Sequence, residues 1–258
     1  MEWELELGNP YLPGGQCAWV AAARGPSGEE LALKVGWRHP EAEHEADGLA
    51  HWDGEGAVRC LRTRTFEDSS VLLLERCVPG TPLASALPEP EQDVVIADLL
   101  RRLWARPLPS RHPFRRLHEM CDAWADSFER NVQADSRGLD PGLAKLALEL
   151  FRALPSGARG GDVLLCTDLH AGNVLASERE PWLVIDPKPF VGDPAYDVVQ
   201  HMLNCPQRLT SDPLGLSRRM AALLDVDRER VRLWLFARCT QEALDDPAMH
   251  EAARRLAP

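Results

Sequence analysis

Residues 163–186 read VLLCTDLHAGNVLASEREPWLVID, and this stretch decides which kind of fold the chain adopts. One apolar run leads into Asp168, a second follows Asn173, and a third ends at Asp186. Polar and turn-forming residues separate the last two runs, so the pattern predicts a strand, a loop and a two-stranded hairpin. The three polar residues therefore lie where strands begin or end, which gives their side chains fixed positions.

These three side chains suit phosphoryl transfer, which depends on positioning and on neutralising phosphate charge. The Asp168 carboxylate can orient an attacking hydroxyl, while oxygens of Asn173 and Asp186 can hold Mg²⁺, which prefers oxygen ligands. Asp168 and Asn173 have the spacing of the kinase loop D-L-x-x-x-N. The same spacing also occurs in ordinary turns. His170 beside Asp168 raises a metallohydrolase as an alternative, but no H-x-H or H-E-x-x-H motif accompanies it.

A candidate phosphate-binding lysine lies upstream of this stretch. Residues 31–35 read LALKV and resemble the kinase strand V-A-I-K, whose Lys pairs with the α- and β-phosphates. The helix predicted after this strand offers Glu41, Glu43 and Glu45, and any of them can fix Lys34. Without such a partner, a Lys near the end of a strand is usually only solvated.

Two further segments fit the order of a kinase. The turn PGGQ at residues 13–16 precedes a strand where a phosphate-covering loop is expected, although it lacks a complete G-x-G-x-x-G. Residues 71–80 read VLLLERCVPG, an apolar strand running into a hinge. We expect backbone groups around Glu75 and Cys77 to bind the adenine edge of ATP, and the same segment also serves as a linker between lobes.

The patterns along the chain predict an α+β fold with a β-rich N-terminal lobe and a mainly helical C-terminal lobe. Strands are predicted at 17–23, 31–35, 57–65 and 71–75, with a helix at 40–52. Later helices are predicted at 91–106, 114–133 and 141–154, with three more beyond 195 and strands at 163–166 and 182–185. We therefore expect a nucleotide-binding lobe at 1–77 and, at 78–258, a helical lobe with the catalytic loop and the acceptor site.

The amino-acid composition indicates which kinds of binding partner the protein is suited to. The 258 residues carry a net charge of −11, which argues against nucleic acid and anionic membranes and is compatible with a cationic partner. Acidity also aids solubility. The N-terminus lacks the features of a secretory signal, and no stretch approaches the length of a membrane span. The seven scattered cysteines contain no C-x-x-C pair, so we expect reduced thiols and a cytoplasmic location.

Longer segments resemble a known family. Residues 166–175, CTDLHAGNVL, are similar to the loop H-G-D-L-H-x-G-N-V-L of the aminoglycoside phosphotransferase superfamily. Residues 180–197, EPWLVIDPKPFVGDPAYD, closely resemble its streptomycin 6-phosphotransferase and hydroxyurea phosphotransferase branch. The segments 44–59 and 234–239 fit that branch too, so the resemblance covers nearly the whole chain.

The resemblance implies a protein-kinase-like fold in two lobes that uses ATP and Mg²⁺. The roles it implies are a phosphate-binding Lys34 with Glu45 as its partner, Asp168 as catalytic base, Asn173 and Asp186 as metal ligands, and Asp197 as a brace for the catalytic loop. It implies an antibiotic kinase acting on streptomycin-like aminocyclitols. Hydroxyurea or a cell metabolite as acceptor, and a nucleotide-binding pseudokinase, are the alternatives.

The sequence departs from the family pattern in two places. Cys166-Thr167 replaces the His-Gly that precedes the catalytic Asp, where the Gly allows a tight turn of the backbone. Because neither family residue performs the transfer, we expect activity to survive with altered packing of the loop. Pro187-Lys188 stands where protein kinases have Phe-Gly, so no flipping-Phe switch is expected.

The predicted helical lobe also carries candidate acceptor-binding carboxylates. They form two groups, Asp122, Asp126 and Glu129 at helical spacing, and Glu242, Asp245 and Asp246 near the C-terminus. Carboxylates can hold the guanidinium groups of a streptomycin-like acceptor through bidentate hydrogen bonds. We therefore predict a small, cationic acceptor, and solvated helix faces are the alternative explanation of both groups.

Overall fold

The computed structural model describes residues 3–12, 14, 17–156 and 161–258. Pro13, Gly15 and Gln16 of the predicted phosphate-covering turn lie outside these residues. The chain forms two compact units. The N-terminal unit comprises Met1–Ala86 and Gly172–Lys188, and the C-terminal unit comprises Leu87–Ala171 and Pro189–Pro258.

The two units differ in secondary structure, as the sequence predicted. The strands are β1 (Glu6–Pro10), β2 (Ala18–Arg24), β3 (Glu30–Trp37), β4 (Cys60–Thr65), β5 (Ser69–Glu75), β6 (Pro79–Pro82), β7 (Val163–Leu165), β8 (Val174–Ser177), β9 (Trp182–Val184) and β10 (Phe190–Gly192). The helices are α1 (Glu45–Trp52), α2 (Leu83–Ala86), α3 (Glu89–Ala105), α4 (Leu117–Ala134), α5 (Pro141–Ala153), α6 (Pro194–Asp197), α7 (Val199–Leu203), α8 (Pro206–Ser211), α9 (Pro213–Leu224), α10 (Arg228–Glu242) and α11 (Ala248–Leu256). Short 3-10 helices occupy Pro40–Ala42, Leu154–Ser156 and Ala171–Asn173.

The N-terminal unit is built on an antiparallel sheet in the order β1-β2-β3-β5-β4. Strands β2 to β5 overlap the predicted runs, and in β2, β3 and β5 the apolar residues alternate or cluster in the way that half-buried strands require. Strand β1 was not predicted. All five of its residues are exposed, so the sequence ELGNP carries no apolar signal.

The second sheet of the N-terminal unit, in the order β6-β8-β9, explains why residues 172–188 belong to this unit. Strand β6 pairs with β8, and the backbone of Val184 on β9 bonds to Gly56 and Val58 at 2.9 and 3.0 Å. This differs from the sequence-based division at residue 77, which left 172–188 with the helical lobe. These bonds join backbone groups between 93 and 128 positions apart in the chain, and backbone groups leave no trace in side-chain patterns.

The C-terminal unit packs its helices beside the short antiparallel pair of β7 and β10. Helix α10 is largely buried, and Trp234 and Phe236 are among its fully buried side chains. Helix α3 buries Ile96, Leu99 and Leu103 along one apolar face. The core of this unit therefore fixes β7, the strand that leads into the loop predicted to be catalytic.

Two predictions that concern the whole chain can be compared with this fold. All seven cysteines are free thiols, and five of them are buried. Of the helices in the described residues, none combines the length and the apolar character needed to cross a membrane.

Candidate active site

The N-terminal unit contains a compact charged cluster around Lys34. The Lys34 Nζ atom lies 2.7 Å from both carboxylate oxygens of Glu45 and 2.5 Å from Oδ1 of Asp186. Strand β3 presents the Lys and the first turn of α1 presents Glu45. The predicted pairing is confirmed in geometry, and the register of α1 selects Glu45 over Glu41 and Glu43, since the helix begins at Glu45.

Burial and charge act against each other in this cluster. Burial by itself lowers the pKa of Lys34, but the carboxylates of Glu45 and Asp186 outweigh it, so the pKa of Lys34 is raised and the ammonium stays charged. Burial raises the pKa of Glu45, and the ammonium of Lys34 opposes that rise. The charge of Lys188 also lowers the pKa of Glu45, so two cations and two carboxylates act on one another in this cluster.

The predicted metal ligands lie on either side of the β8–β9 hairpin. Val174 pairs with Val184, and the amide of Ile185 donates to the backbone carbonyl of Asn173 at 2.9 Å, so the hairpin brings Asn173 and Asp186 to its open end. The Asp186 side chain is 44% exposed. An amide oxygen and a carboxylate are hard donors, and Mg²⁺ is commonly held by one or two such groups plus substrate phosphates. The two residues therefore fit this ion, and their role remains a prediction.

The loop predicted to be catalytic follows β7 in the C-terminal unit and contains Asp168. The buried carboxylate of Asp197 accepts hydrogen bonds from the backbone amides of Cys166 at 3.0 Å and Thr167 at 2.6 Å. The brace that the family resemblance implied is thus present. Asp197 also accepts a bond of 2.8 Å from the indole N–H of Trp104, a contact that the sequence did not predict.

The residue that replaces the family's Gly adopts the conformation that favours Gly. Thr167 has φ 52°, in the left-handed region that β-branched residues rarely occupy. The left-handed turn is therefore kept although a β-branched side chain disfavours it, and the Thr167 amide donates to Asp197 within this turn. Burial raises the pKa of Asp197 to about 6, although three N–H donors favour its charged form.

The predicted nucleotide hinge has its side chains engaged within the protein. The Glu75 carboxylate accepts from Nε and Nη2 of Arg179 at 3.0 and 2.9 Å. Cys77 is buried, and burial raises the pKa of its thiol to about 11. Their side chains are therefore poorly suited to bind a nucleotide, and the prediction that remains is contact through backbone groups.

Arg179 is a residue that the sequence reasoning missed, because it lies in the turn between β8 and β9. Besides Glu75, its guanidinium donates to the carbonyls of Gly54 at 2.6 Å and Ala57 at 3.0 Å. These bonds tie the hairpin that carries the predicted metal ligands to the segment after α1. The partners lie 104 to 125 positions away, so no local pattern could have revealed them.

The acidic residues predicted to bind the acceptor are largely engaged by arginines of the C-terminal unit. Arg152 pairs with Glu129 at 3.2 Å and approaches Asp126 at 4.0 Å, and Arg137 pairs with Asp245 at 2.9 Å. Asp246 accepts from the backbone amide of Ala248 at 2.9 Å, next to the start of α11. These contacts favour a mainly structural role for four of the six residues.

Glu242 differs from the other acidic residues because a buried arginine holds it. Arg238 donates to Glu242 at 2.6 Å, and its guanidinium carbon lies 4.2 Å from the ring centroid of Trp124 on α4. Arg238 is 8% exposed, while the Glu242 side chain is 40% exposed. A carboxylate fixed in this way can still be reached by a cationic ligand.

The chain is similar in sequence to proteins of known function. A family described as aminoglycoside/hydroxyurea antibiotic resistance kinase matches residues 9–245. The chain belongs to this family. The streptomycin 6-kinase of Streptomyces griseus is 35% identical over 95% of this chain and 79% of its own length. The hydroxyurea phosphotransferase of Kitasatospora aureofaciens is 34% identical over 94% of this chain and 69% of its own length.

The fold agrees with solved structures as well. An aminoglycoside phosphotransferase of Streptomyces rimosus, in complex with ADP and streptomycin, superposes with a TM-score of 0.60 at 22% identity, covering 92% of this chain and 91% of that one. The predicted α+β, protein-kinase-like fold is therefore confirmed. Membership in this resistance-kinase family also agrees with the resemblance carried by residues 166–175 and 180–197.

Proposed function

We propose that this protein is an ATP-dependent kinase that transfers a phosphoryl group to a hydroxyl of a streptomycin-like aminoglycoside and so confers resistance to it. The observation that carries the proposal is Lys34 held between Glu45 and Asp186, in a family whose relatives are named as kinases of such compounds. We also propose that it acts in the cytoplasm, where ATP is available and free thiols stay reduced.

The proposed reaction is a direct transfer. Asp168 accepts the proton of the acceptor hydroxyl, whose oxygen forms a bond to the γ-phosphorus while the bond from that phosphorus to the bridging oxygen of ADP breaks. The ammonium of Lys34 aligns the α- and β-phosphates. When bound, Mg²⁺ neutralises charge on the phosphates, and Asn173 and Asp186 are the residues that would hold it.

Asp197 and the hairpin give these residues their positions. Asp197 fixes the backbone immediately before Asp168, and the β8–β9 register brings Asn173 and Asp186 to one end of the hairpin. Such preorganisation matters because a transfer reaction gains most of its rate from the alignment of the reacting groups. It also argues against a pseudokinase, in which these contacts would serve no transfer.

Hydroxyurea is the second candidate acceptor, and the 34% identity with a hydroxyurea phosphotransferase supports it. The net charge of −11 and the partly exposed Glu242 favour a cationic acceptor instead. Hydroxyurea is small and neutral and gains little from carboxylates. An aminocyclitol with two guanidinium groups gains charge-assisted hydrogen bonds.

The experiment measures formation of ADP and of phosphorylated product, with streptomycin, hydroxyurea or no acceptor, at low and high ionic strength. We expect streptomycin to give the higher kcat/KM, and we expect that value to fall as salt screens the acidic site. Asp168→Asn serves as a nearly isosteric control and should lower kcat by roughly 10² to 10⁴-fold.

Each outcome has a distinct meaning. A preference for hydroxyurea would overturn the aminoglycoside acceptor and leave the kinase assignment in place. ADP release without product on any acceptor, or nucleotide binding without turnover, would overturn the kinase assignment. Transfer by Asp168→Asn within about threefold of the wild type would remove Asp168 from its role, since a general base contributes far more.

A further inference from the structure

Trp104, on α3, makes a polar contact that the proposed reaction does not use. Its indole N–H donates to Oδ2 of Asp197 at 2.8 Å. The same oxygen accepts the backbone amide of Cys166, and the other oxygen accepts that of Thr167. The carboxylate is fully buried, and all three of these donors are neutral N–H groups.

The three donors to this carboxylate come from two different parts of the C-terminal unit. The two backbone amides belong to adjacent residues of one loop and therefore move with that loop. Trp104 comes from a separate helix, 93 positions away in the chain, and its N–H fixes the carboxylate relative to the core of the C-terminal unit. Without this bond the carboxylate could rotate together with the loop that it is meant to hold.

The orientation of the Asp197 carboxylate matters because it accepts a hydrogen bond from Thr167, whose backbone conformation is unfavourable. For an L-residue the left-handed conformation costs roughly 1–2 kcal/mol, and β-branching adds to the crowding. Thr167 nevertheless has φ 52° and is 7% exposed. The bond from its amide to Asp197 is the shortest of the three. This conformation sets the direction in which the chain enters Asp168, the next residue.

We propose that Trp104 is a positioning residue: by fixing the carboxylate of Asp197 it keeps Thr167 in the left-handed conformation and thereby aims Asp168 at the acceptor hydroxyl. The inference rests on the proposed kinase function. It also assigns Trp104 a compensating role, since a Gly in place of Thr167 would adopt the same turn without support.

The test is a double-mutant cycle between Trp104→Phe and Thr167→Gly. Trp104→Phe keeps an aromatic ring and removes the N–H donor, so we expect kcat to fall about tenfold or more, with the KM for ATP and acceptor changed by less than about twofold. In combination with Thr167→Gly, the loss caused by Trp104→Phe should shrink to less than about threefold, because Gly needs no support for a positive φ.

Trp234→Phe is the matched control. The indole N–H of Trp234 also donates to a buried carboxylate, that of Asp193, at 2.7 Å. We expect its loss to lower the melting temperature while kcat stays within about twofold, and Thr167→Gly should not compensate for it. A purely structural role of Trp104 would give this same pattern at position 104.

Urea unfolding of the four proteins of the cycle supplies a readout that does not need activity. We expect Trp104→Phe to lower the midpoint more when Thr167 is present than when it is replaced by Gly. An inactive wild type that still shows this coupling would refute the kinase function and leave the brace intact. Equal effects of Trp104→Phe in both backgrounds, on kcat and on the midpoint, would overturn the proposal, as would failure of both variants to fold.

Discussion

The cluster around Lys34 and the hydrogen bonds of Asp197 each hold one residue in an unfavourable backbone conformation, but through different interactions. Each holds a non-glycine residue in the left-handed conformation, Asp186 in the N-terminal unit and Thr167 in the C-terminal unit, both at φ 52°. Asp186 is held through its side chain by the charge of Lys34. Thr167 is held through its backbone amide by a carboxylate whose other donors are also neutral.

The difference follows from what each residue can tolerate. Asp enters the left-handed region comparatively easily because its short polar side chain can form local hydrogen bonds. Thr enters this region rarely, because it is β-branched. Asp186 is also one of the two residues that we propose as ligands of Mg²⁺, so its carboxylate is expected to be charged. The donors to Asp197 are neutral, so they do not fully offset the effect of burial, and the pKa of that carboxylate is raised to about 6.

A third carboxylate, that of Asp93, shows that burial alone does not determine the pKa of a carboxylate in this protein. Asp93 is as fully buried as Asp197. Burial tends to raise the pKa of Asp93, but bonds from His201, Arg208 and Arg219 hold it well below its usual range. In the C-terminal unit, the charge of the donors therefore decides whether a buried carboxylate acts as a stable ion pair or remains able to titrate.

The most disruptive change is expected at Lys34. Lys34→Met should lower kcat/KM by roughly 10² to 10³-fold through loss of charge stabilisation, and should destabilise the fold by about 3–5 kcal/mol because Glu45 is left buried without its partner. Steady-state kinetics and urea unfolding measure the two effects. Lys145→Met is the control, since that side chain is 80% exposed and should change neither value appreciably. Activity of Lys34→Met within about threefold of the wild type would show that the charged cluster is not used in transfer.

The pH dependence of stability should distinguish Asp197 from Asp93. Asp197 has a folded pKa of about 6 against an ordinary 3.8, so its contribution is complete below pH 3.8 and is lost as pH rises through 6. The free energy of unfolding of the wild type, relative to Asp197→Asn, should therefore fall by roughly 2 kcal/mol between pH 4 and pH 7.

In a His201→Gln background, where no imidazole titrates beside the carboxylate, the corresponding gap for Asp93→Asn should stay constant from pH 4.5 to 7. The folded pKa of Asp93 is depressed, so its contribution is lost only as pH falls below the ordinary value of 3.8. Urea unfolding at several pH values measures both gaps. Parallel pH profiles for the two variants would contradict the distinction between neutral and cationic donors.

The smallest effect is expected from Glu45→Gln, which keeps an acceptor for Lys34 and removes its charge. Lys34 retains Asp186, so kcat/KM should fall only about tenfold, the order expected for one charge-assisted hydrogen bond. Glu43→Gln, on an exposed residue two positions earlier, is the control and should behave like the wild type. Equal losses in the two variants would mean that the register of α1 does not select the functional carboxylate.

Local patterns sufficed for the parts of the site whose members are close in sequence. The strand, loop and hairpin at 163–186 were predicted because apolar runs and turn residues alternate there, and the Lys34–Glu45 contact because one helix offered only a few carboxylates. The bonds of Trp104 and Arg179 were missed because each joins side chains about a hundred positions apart. Patterns with helix or strand periodicity cannot report such pairs.

The hairpin at 172–188 makes the N-terminal unit discontinuous in sequence, and this limits how the protein can be divided. A fragment ending at Ala86 would lack β8, β9 and the guanidinium of Arg179, leaving the carbonyls of Gly54 and Ala57 without that donor. No single cleavage of the chain yields this unit whole. Its synthesis is therefore completed only when the ribosome has passed Lys188, after the whole first segment of the helical unit, Leu87–Ala171, has been made.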